Sequence, residues 1–520
     1  MPRTCPLLVV ALLGGACAVP APARAADRDQ LKTKLDAVLD APDYRHASWG
    51  VLVADAKTGD PVYARNPDAM LAPASVTKLF TCASALVALG PDHKQETVVY
   101  SRGAVTHGAL KGDLILVASG DVMLGGRTKD GKTVFKDRDH TYANGSESEL
   151  TDTDPLAGLN DLAKQIKAAG ITSVEGEVLI DDRLFARARG TGSGPDAVSP
   201  IVVNDNAVDI IVTPGAKEGE PAKVTTRPET GFYTVDAVVD TGAEKSPPTI
   251  QLISVGPTHF AVRGRVPAGA KPLVRVYGVE DPNSFARALF VEALRRNGVR
   301  AQCAVLRPAH HGLPAKGEYA KLDRVATFTS APLKDAVLVT LKVSHNLYAS
   351  TLPCLVAAAT GRTTAEEGLK EQRRILKGLG VDTDAISFGG GAGGAWADNV
   401  SPRATVQLLQ GMSKRPEWGA YKAAMPTLGV DGTLADVVKS DSPAKGAALA
   451  KTGTLIWYDA VNDRSLLKSK ALAGTLTTKG GTELHFCLIV NNVPLPKGVG
   501  ASREGKALGR LCELLYEYGP

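Results

Sequence analysis

Ala72-Pro73-Ala74-Ser75-Val76-Thr77-Lys78-Leu79-Phe80-Thr81 places a hydroxyl, on Ser75, and an amine, on Lys78, three residues apart. On a helix that spacing puts both on one face. A serine hydroxyl is a poor nucleophile until a base removes its proton, so Lys78 must be neutral or poised to lose its own. Burial and neighbouring cations lower a lysine pKa, which restricts the pair to a closed, largely dry cleft. Pro73 near the start, the apolar residues Leu79, Phe80, Ala83, Leu86 and Val87, and the stop at Gly90-Pro91 predict a buried helix. Two further strings share the pattern, Ser442-Pro-Ala-Lys445 and Ser465-Leu-Leu-Lys468, but both lie in polar text that reads as turn and solvated loop.

Two later motifs supply what a serine-lysine pair lacks. Ser344-His345-Asn346 offers a hydroxyl to relay a proton and an amide to bind substrate backbone and position Lys78. Without the other motifs it would read as a polar helix start with Ser344 as N-cap. His345 is expected to be structural or at the surface, pointing away from its neighbours. Lys451-Thr452-Gly453-Thr454 sets a cation and two hydroxyls beside a glycine on an expected edge strand. There Lys451 would attract a substrate carboxylate, Thr452 and Thr454 would hydrogen-bond it, and Gly453 would admit substrate backbone. Lys57-Thr58-Gly59 repeats the letters in an expected hairpin turn. The run Gly389 to Gly394 lacks the spaced Lys-Ser/Thr of a phosphate loop and reads as a tight turn.

The order Ser-x-x-Lys, Ser-x-Asn, Lys-Thr-Gly, with a long interval from Lys78 to Ser344 and a shorter one from Asn346 to Lys451, resembles the class C low-molecular-mass penicillin-binding proteins, the D-alanyl-D-alanine carboxypeptidase/endopeptidase family of penicillin-binding protein 4 type. Gly112-Asp-Leu-Ile-Leu-Val-Ala-Ser-Gly-Asp121, Gly176-Glu-Val-Leu-Ile-Asp-Asp182, Val203-Asn-Asp-Asn-Ala-Val208 and Gly429-Val-Asp-Gly-Thr-Leu434 extend the likeness across most of the chain. The resemblance implies an α/β (α+β) transpeptidase-like catalytic domain of the serine β-lactamase type. A long, mainly β insert would form one or two smaller domains. The expected division is 26–97 with 325–520 for the catalytic domain, 98–125 with 200–324 for a β-rich insert, and 126–199 for a second small insert. It implies D-alanyl peptides of peptidoglycan as substrate, Ser75 acylated, β-lactams as covalent inhibitors, and an oxyanion site made by the backbone N–H groups of Ser75 and Thr454.

Two stretches depart from the family. Its Asp-Gly-Ser-Gly is replaced by Gly390-Gly391-Ala392-Gly393, without either polar side chain, and Ile456 to Lys470 exceeds the usual turn. Two alternatives therefore stay open: a slow or inactive peptidoglycan-binding protein, and a β-lactamase. The second lacks a Glu-x-x-x-Asn water activator, since Asn399 alone lies between Asn346 and Lys451 and Ala395 stands four before it.

The 520 residues, 44% hydrophobic with a net charge of +5, suit a globular chain of two or three domains and give no basic footprint for nucleic acid. The apolar run Pro6 to Val19 is too short to span a bilayer. Arg3, that run and Ala23-Arg24-Ala25 read instead as a leader over 1–25, implying export to a periplasmic or extracytoplasmic site. Cys17 leaves a lipidated alternative, though no large aliphatic residue precedes it. The odd set Cys82, Cys303, Cys354, Cys487 and Cys512 is expected as buried thiols. No Cys-x-x-Cys pair occurs, so neither metal nor cofactor is expected.

Overall fold

The computed structural model describes residues 21–144, 147–306 and 312–520. The expected leader, up to residue 20, lies outside the described residues. Trp49-Gly-Val-Leu-Val-Ala-Asp55 and Pro61-Val-Tyr-Ala-Arg65 form the predicted antiparallel hairpin, Ser48–Asp55 with Pro61–Arg65, and Lys57-Thr58-Gly59 makes its exposed turn. Three strands complete an antiparallel sheet in the order Pro61–Arg65, Ser48–Asp55, Glu483–Pro494, Arg464–Thr477, Ala448–Asp459.

Alternation along the strands feeds two cores. Trp49, Val51, Val53, Leu488 and Val490 pack under helices Ala21–Leu39 and Ser502–Tyr518. Leu52, Ala54, Cys487 and Ile489 face the opposite core, built on helices Thr77–Leu89, Asn346–Ala359 and Pro402–Ser413. The sheet is thus covered on both faces, which is why its central strands read as near-continuous apolar runs.

The long excursion between the first two motifs closes on itself. Strand Asp323–Thr329 pairs antiparallel with Glu96–Thr106, and a reciprocal pair of 2.9 Å hydrogen bonds between Gln95 and Ser330 forms the neck. Within the excursion, strands Glu96–Thr106, Ala109–Val117, Ser173–Val174, Val178–Asp181, Arg300–Ala301 and Asp323–Thr329 form one sheet, and two three-stranded sheets follow. One apolar core runs through all three sheets with helices Ala157–Ala168 and Pro282–Arg296.

Local readings fail at identifiable places. The strand expected over Val202 to Pro214 begins only at Ala207, because Asn204, Asp205 and Asn206 all take left-handed backbone, with φ of 48°, 57° and 50°. Asn and Asp tolerate that region better than most residues. Ser465 and Lys468 lie on a strand, not in a solvated loop: cross-strand pairing from Tyr458↔Ser465 onward extends the hairpin to its tip. Cys82, Cys303, Cys354, Cys487 and Cys512 are all free and buried. No helix among the described residues is long and apolar enough to cross a membrane.

Buried charge holds the excursion to the catalytic half. Arg127 donates to Asp139 at 2.7 Å and to Asp205 at 2.6 Å; His140 bridges Asp205 at 2.7 Å and Asp209 at 2.5 Å; Tyr348, from helix Asn346–Ala359, donates to Asp205. Burial opposes the charge on His140, but the Asp209 and Asp205 carboxylates raise it to about 10. Burial likewise opposes charge on Asp205, yet Arg127 beside it holds the carboxyl well below the ordinary range. Removing Arg127 would leave two carboxylates buried without their guanidinium, a loss of about 3–5 kcal/mol. Arg127→Ala is therefore expected to unfold at markedly lower temperature and denaturant, measured by calorimetry and urea titration, whereas Arg138→Ala, at a half-exposed neighbour, should change little.

Candidate active site

Pro73 opens a short 3-10 turn, Ala74–Val76, that runs into helix Thr77–Leu89. The turn is pinned to the sheet. Ser469 Oγ donates to the Ala72 carbonyl at 2.6 Å, and Asn491 meets the same residue through both amide atoms at 2.8 and 3.0 Å. Ala74 is held at φ 46°, a strained value for a residue with a side chain. Gly453 permits the approach of the last strand, since a Cβ there would meet the Pro73 carbonyl at 2.3 Å. The room that Gly453 makes is thus filled by the Ser75 turn itself and not left for substrate.

Lys78 is fully buried and has three polar neighbours: Ser75 Oγ at 2.7 Å, Asn346 Oδ1 at 2.7 Å and the Ala392 carbonyl at 2.8 Å. A neutral amine has two N–H donors and one lone pair. Asn346 Oδ1 and the Ala392 carbonyl only accept, so they take the two donors and leave the lone pair for the Ser75 O–H. Electrostatics agree: burial lowers Lys78 to about 7, with Cys82 and Asp398 pulling weakly the other way.

The glycine loop takes part through its backbone. Asp398 accepts from the N–H groups of Gly389 at 2.8 Å and Ala395 at 2.7 Å, Thr81 Oγ donates to Gly391, and Gly393 lies on the Ala74 carbonyl so closely that a Cβ would stand 1.9 Å from it. The loop that lacks the family's two polar side chains still gives Lys78 an acceptor.

Asn346 is clamped at both ends, its Oδ1 on Lys78 and its Nδ2 donating at 2.8 Å to the Ser193 carbonyl from the excursion. Ser344 lines the same cleft with left-handed backbone, φ 65°, and its carbonyl accepts from the Tyr142 hydroxyl. The helix cap falls on His345, not Ser344, and the ring is fully buried against Tyr348, with Nε2 3.6 Å from Asp205. His345 is structural, as one of the two expectations had it, and not at the surface.

Strand Ala448–Asp459 is the expected edge strand and forms one wall of a cleft of about 690 Å³. Ser75, Ser344, Asn346, Thr452 and Thr454 all line it. Lys451 lies behind the wall, fully buried, donating to the Thr452 carbonyl at 2.8 Å; burial first, and Lys78 second, push its pKa well down. The cation on the wall is Lys470, which donates to Thr454 Oγ1 at 2.9 Å and which burial lowers to about 8. Sequence reasoning passed over Lys470 because it acts as the cross-strand partner of Thr454, a relation that only the register reveals. The opposite wall carries Asp137 and Tyr142, also unread in the sequence; Asp137 accepts from Gly432 N at 2.6 Å. Among the described residues no group of three or more His, Cys, Asp or Glu is placed to hold a metal.

Comparison with known proteins follows from this geometry. A family described as D-Ala-D-Ala carboxypeptidase 3 (S13) matches residues 31–508. The D-alanyl-D-alanine carboxypeptidase of Actinomadura sp. (strain R39) is 31% identical over 481 residues, covering 88% of this chain and 82% of that one. The crystal structure of penicillin-binding protein 4 (dacB) from Haemophilus influenzae superposes with a TM-score of 0.71 at 21% identity, over 94% of this chain and 99% of that one. The same Haemophilus protein complexed with a β-lactam gives 0.69, again at 21% identity and with the same coverage. These likenesses bear out the expected transpeptidase-like α/β architecture with its extra sheets.

With three acceptors and donors fixed around it, the Lys78 amine should titrate near pH 7, read by NMR of isotope-labelled lysine. Asp398→Asn removes a charge that favours the ammonium and should move the midpoint lower still. A midpoint at the ordinary lysine value, about 10.4, would sink the neutral-amine geometry.

Proposed function

The chain belongs to the D-Ala-D-Ala carboxypeptidase 3 (S13) family, a family of serine-type hydrolases, and from that membership we propose the roles of its residues in cleaving D-alanyl-D-alanine peptides of peptidoglycan. The observation that carries the assignment is the fully buried Lys78 amine, 2.7 Å from Ser75 Oγ, with both its donors occupied.

Neutral Lys78 takes the Ser75 proton as Oγ attacks the carbonyl carbon of the penultimate D-alanine. The oxyanion that forms is met by the backbone N–H groups of Ser75 and Thr454. The proton then passes through the Ser344 hydroxyl to the amine of the terminal D-alanine, which leaves, and the acyl chain stays on Ser75. Water, deprotonated by Lys78, hydrolyses the ester and regenerates Oγ–H. Asn346 fixes Lys78 throughout, because its own amide is held by the Ser193 carbonyl.

Thr452 and Thr454 bind the terminal carboxylate. Lys470 faces it and Lys451 stands behind the wall. Burial opposes the charge on both amines, and the arriving carboxylate favours it, so bound substrate should raise both lysines' pKa values. The same acylation by a β-lactam would trap Ser75. The leader-like text over 1–25 supports a periplasmic or extracytoplasmic site for this work. A cross-linked D-alanyl bond offers Ser75 the same carbonyl, and the same steps would cleave it.

The Gly390 to Gly393 departure does not favour an inert binder, since its backbone carries the contact to Lys78. The test is a digest of pentapeptide and of cross-linked muropeptides, with mass spectrometry after penicillin. Wild type should release D-alanine and gain one penicillin on Ser75, and Ser75→Ala should do neither. Release by Ser75→Ala, or a wild type inert to both, would overturn the assignment. The acylation rate should rise about ten-fold from pH 6 to pH 8, because only the neutral form of a base titrating near 7 accepts the proton. A flat profile would remove Lys78 as the base.

A further inference from the structure

The tip of the hairpin formed by strands Ala448–Asp459 and Arg464–Thr477 and the end of the glycine loop meet at the rim of the catalytic cleft. There they leave a large aromatic surface that the chemistry at Ser75 does not use. Trp396, at the end of the glycine loop, stands 86% exposed. Its ring lies 4.8 Å from that of Trp457, at an interplanar angle of 36°. Trp457 is braced in turn by the Lys468 ammonium, 5.4 Å from its ring centroid, which is itself held by Asn492 at 3.0 Å. The loop behind Trp396 is fixed by the buried Asp398 carboxylate, so the indole is presented by a rigid base. An indole held almost wholly in water and braced by a second, tilted indole is the arrangement of a binding platform, since tryptophan normally buries about 150–250 Å².

The platform is continuous with the cleft. Ile456 and Gly394 line the cleft, and each lies within two residues of a platform tryptophan. Strand Ala448–Asp459 is a sheet edge, so a substrate backbone can add alongside it. From Thr454 to Trp457 the edge runs about 10 Å, and three residues of extended substrate span the same distance.

We propose that Trp396 and Trp457 form a subsite for the glycan strand that carries the stem peptide, stacking on the C–H face of an N-acetylated sugar ring. This rests on the peptidoglycan reading of the cleft. A flat apolar ring face set beside fixed hydrogen-bonding groups suits a sugar, and the hairpin tip supplies such groups in Asp459 and Asn462. A lipid surface suits the site less well. Interfacial aromatics are accompanied by free Lys or Arg, whereas here Asp459 and Asp463 carry the tip and hold Arg464 and Lys497 in ion pairs, and Lys468 is turned onto the Trp457 ring and Asn492.

The test uses the full mature chain and Trp396→Ala, whose exposed position keeps the fold intact, with Trp396→Phe as the conservative partner. Binding is read first by tryptophan fluorescence titration with peptide-free glycan strands. Wild type should saturate, Trp396→Ala should weaken about ten-fold, and Trp396→Phe should fall between. D-alanine release is read second. Trp396→Ala should match wild type on a free pentapeptide and lose about ten-fold in kcat/KM on glycan-linked peptides. No response to glycan, an unchanged titration in Trp396→Ala, or equal loss on both substrates would overturn the subsite. So would sedimentation with anionic vesicles that Trp396→Ala abolishes, which would make the surface a membrane contact. The titration needs no turnover, so a chain that binds glycan yet releases no D-alanine would fail the enzymatic reading and leave the subsite standing.

Discussion

The site depends on keeping one amine uncharged. Lys78 sits in the helix core with no carboxylate in contact, and an ammonium there would need three acceptors and a counter-ion. Its surroundings provide three oxygens but no counter-ion, so burial favours the amine, whose lone pair then faces the Ser75 O–H. Those partners come from three separate segments: the turn before the helix, the loop after strand Asp323–Thr329 and helix Leu333–Lys342, and the glycine loop. Bringing together the segments that precede and follow the excursion is therefore what creates the base. Nothing within the Ser75-to-Lys78 turn could do it alone.

Two strained residues lie in the segments that position that amine, Ala74 at φ 46° beside Ser75 and Ser344 at φ 65° two before Asn346. Left-handed backbone at a residue with a Cβ costs about 1–3 kcal/mol and persists only where packing over-determines it. For Ala74 the packing is the close approach of Gly393 and Gly453, with Ser469 and Asn491 anchoring Ala72 two residues before it. For Ser344 it comes from the excursion. Tyr142 holds the carbonyl, while Tyr348 and His345 sit in a cluster where Arg127, His140 and Arg227 balance Asp139, Asp205 and Asp209. The inserted half is thus part of the catalytic geometry and not an appendage to it.

Much of this was legible in the sequence, and the boundary of legibility has a physical cause. Ser75 with Lys78, Ser344 with Asn346, and Lys451 to Thr454 are short-range patterns whose spacing encodes a shared face or strand. The amphipathic helices and the first hairpin were readable for the same reason. Lys470 was not, because its relation to Thr454 is register across two strands. Arg127, Asp205 and His140 were not, because a buried ion cluster assembled from residues far apart leaves no local signature. Ser465 misled because polar text on an extended hairpin looks like loop text. Gly453 was readable as a point of close approach, but not that the approaching group is the Pro73 carbonyl.

An edge strand is ordinarily a hazard, since its open N–H and C=O groups invite any extended chain. Here the cleft stretch of strand Ala448–Asp459 is left open because substrate must pair there, and the protection is placed around it. One wall, with Asp137 and Tyr142, and the other, with Ala392 to Gly394, confine access. Where the strand leaves the cleft, Trp457 packs against Trp396 and the tip closes with Asp459 paired to Arg464 and Asp463 to Lys497. Such charges resist pairing with a second copy of the sheet, so the long hairpin that departs from the family extends the edge without opening it to aggregation. The open length that remains, from Thr452 to Ile456, is set by the walls and not by the strand.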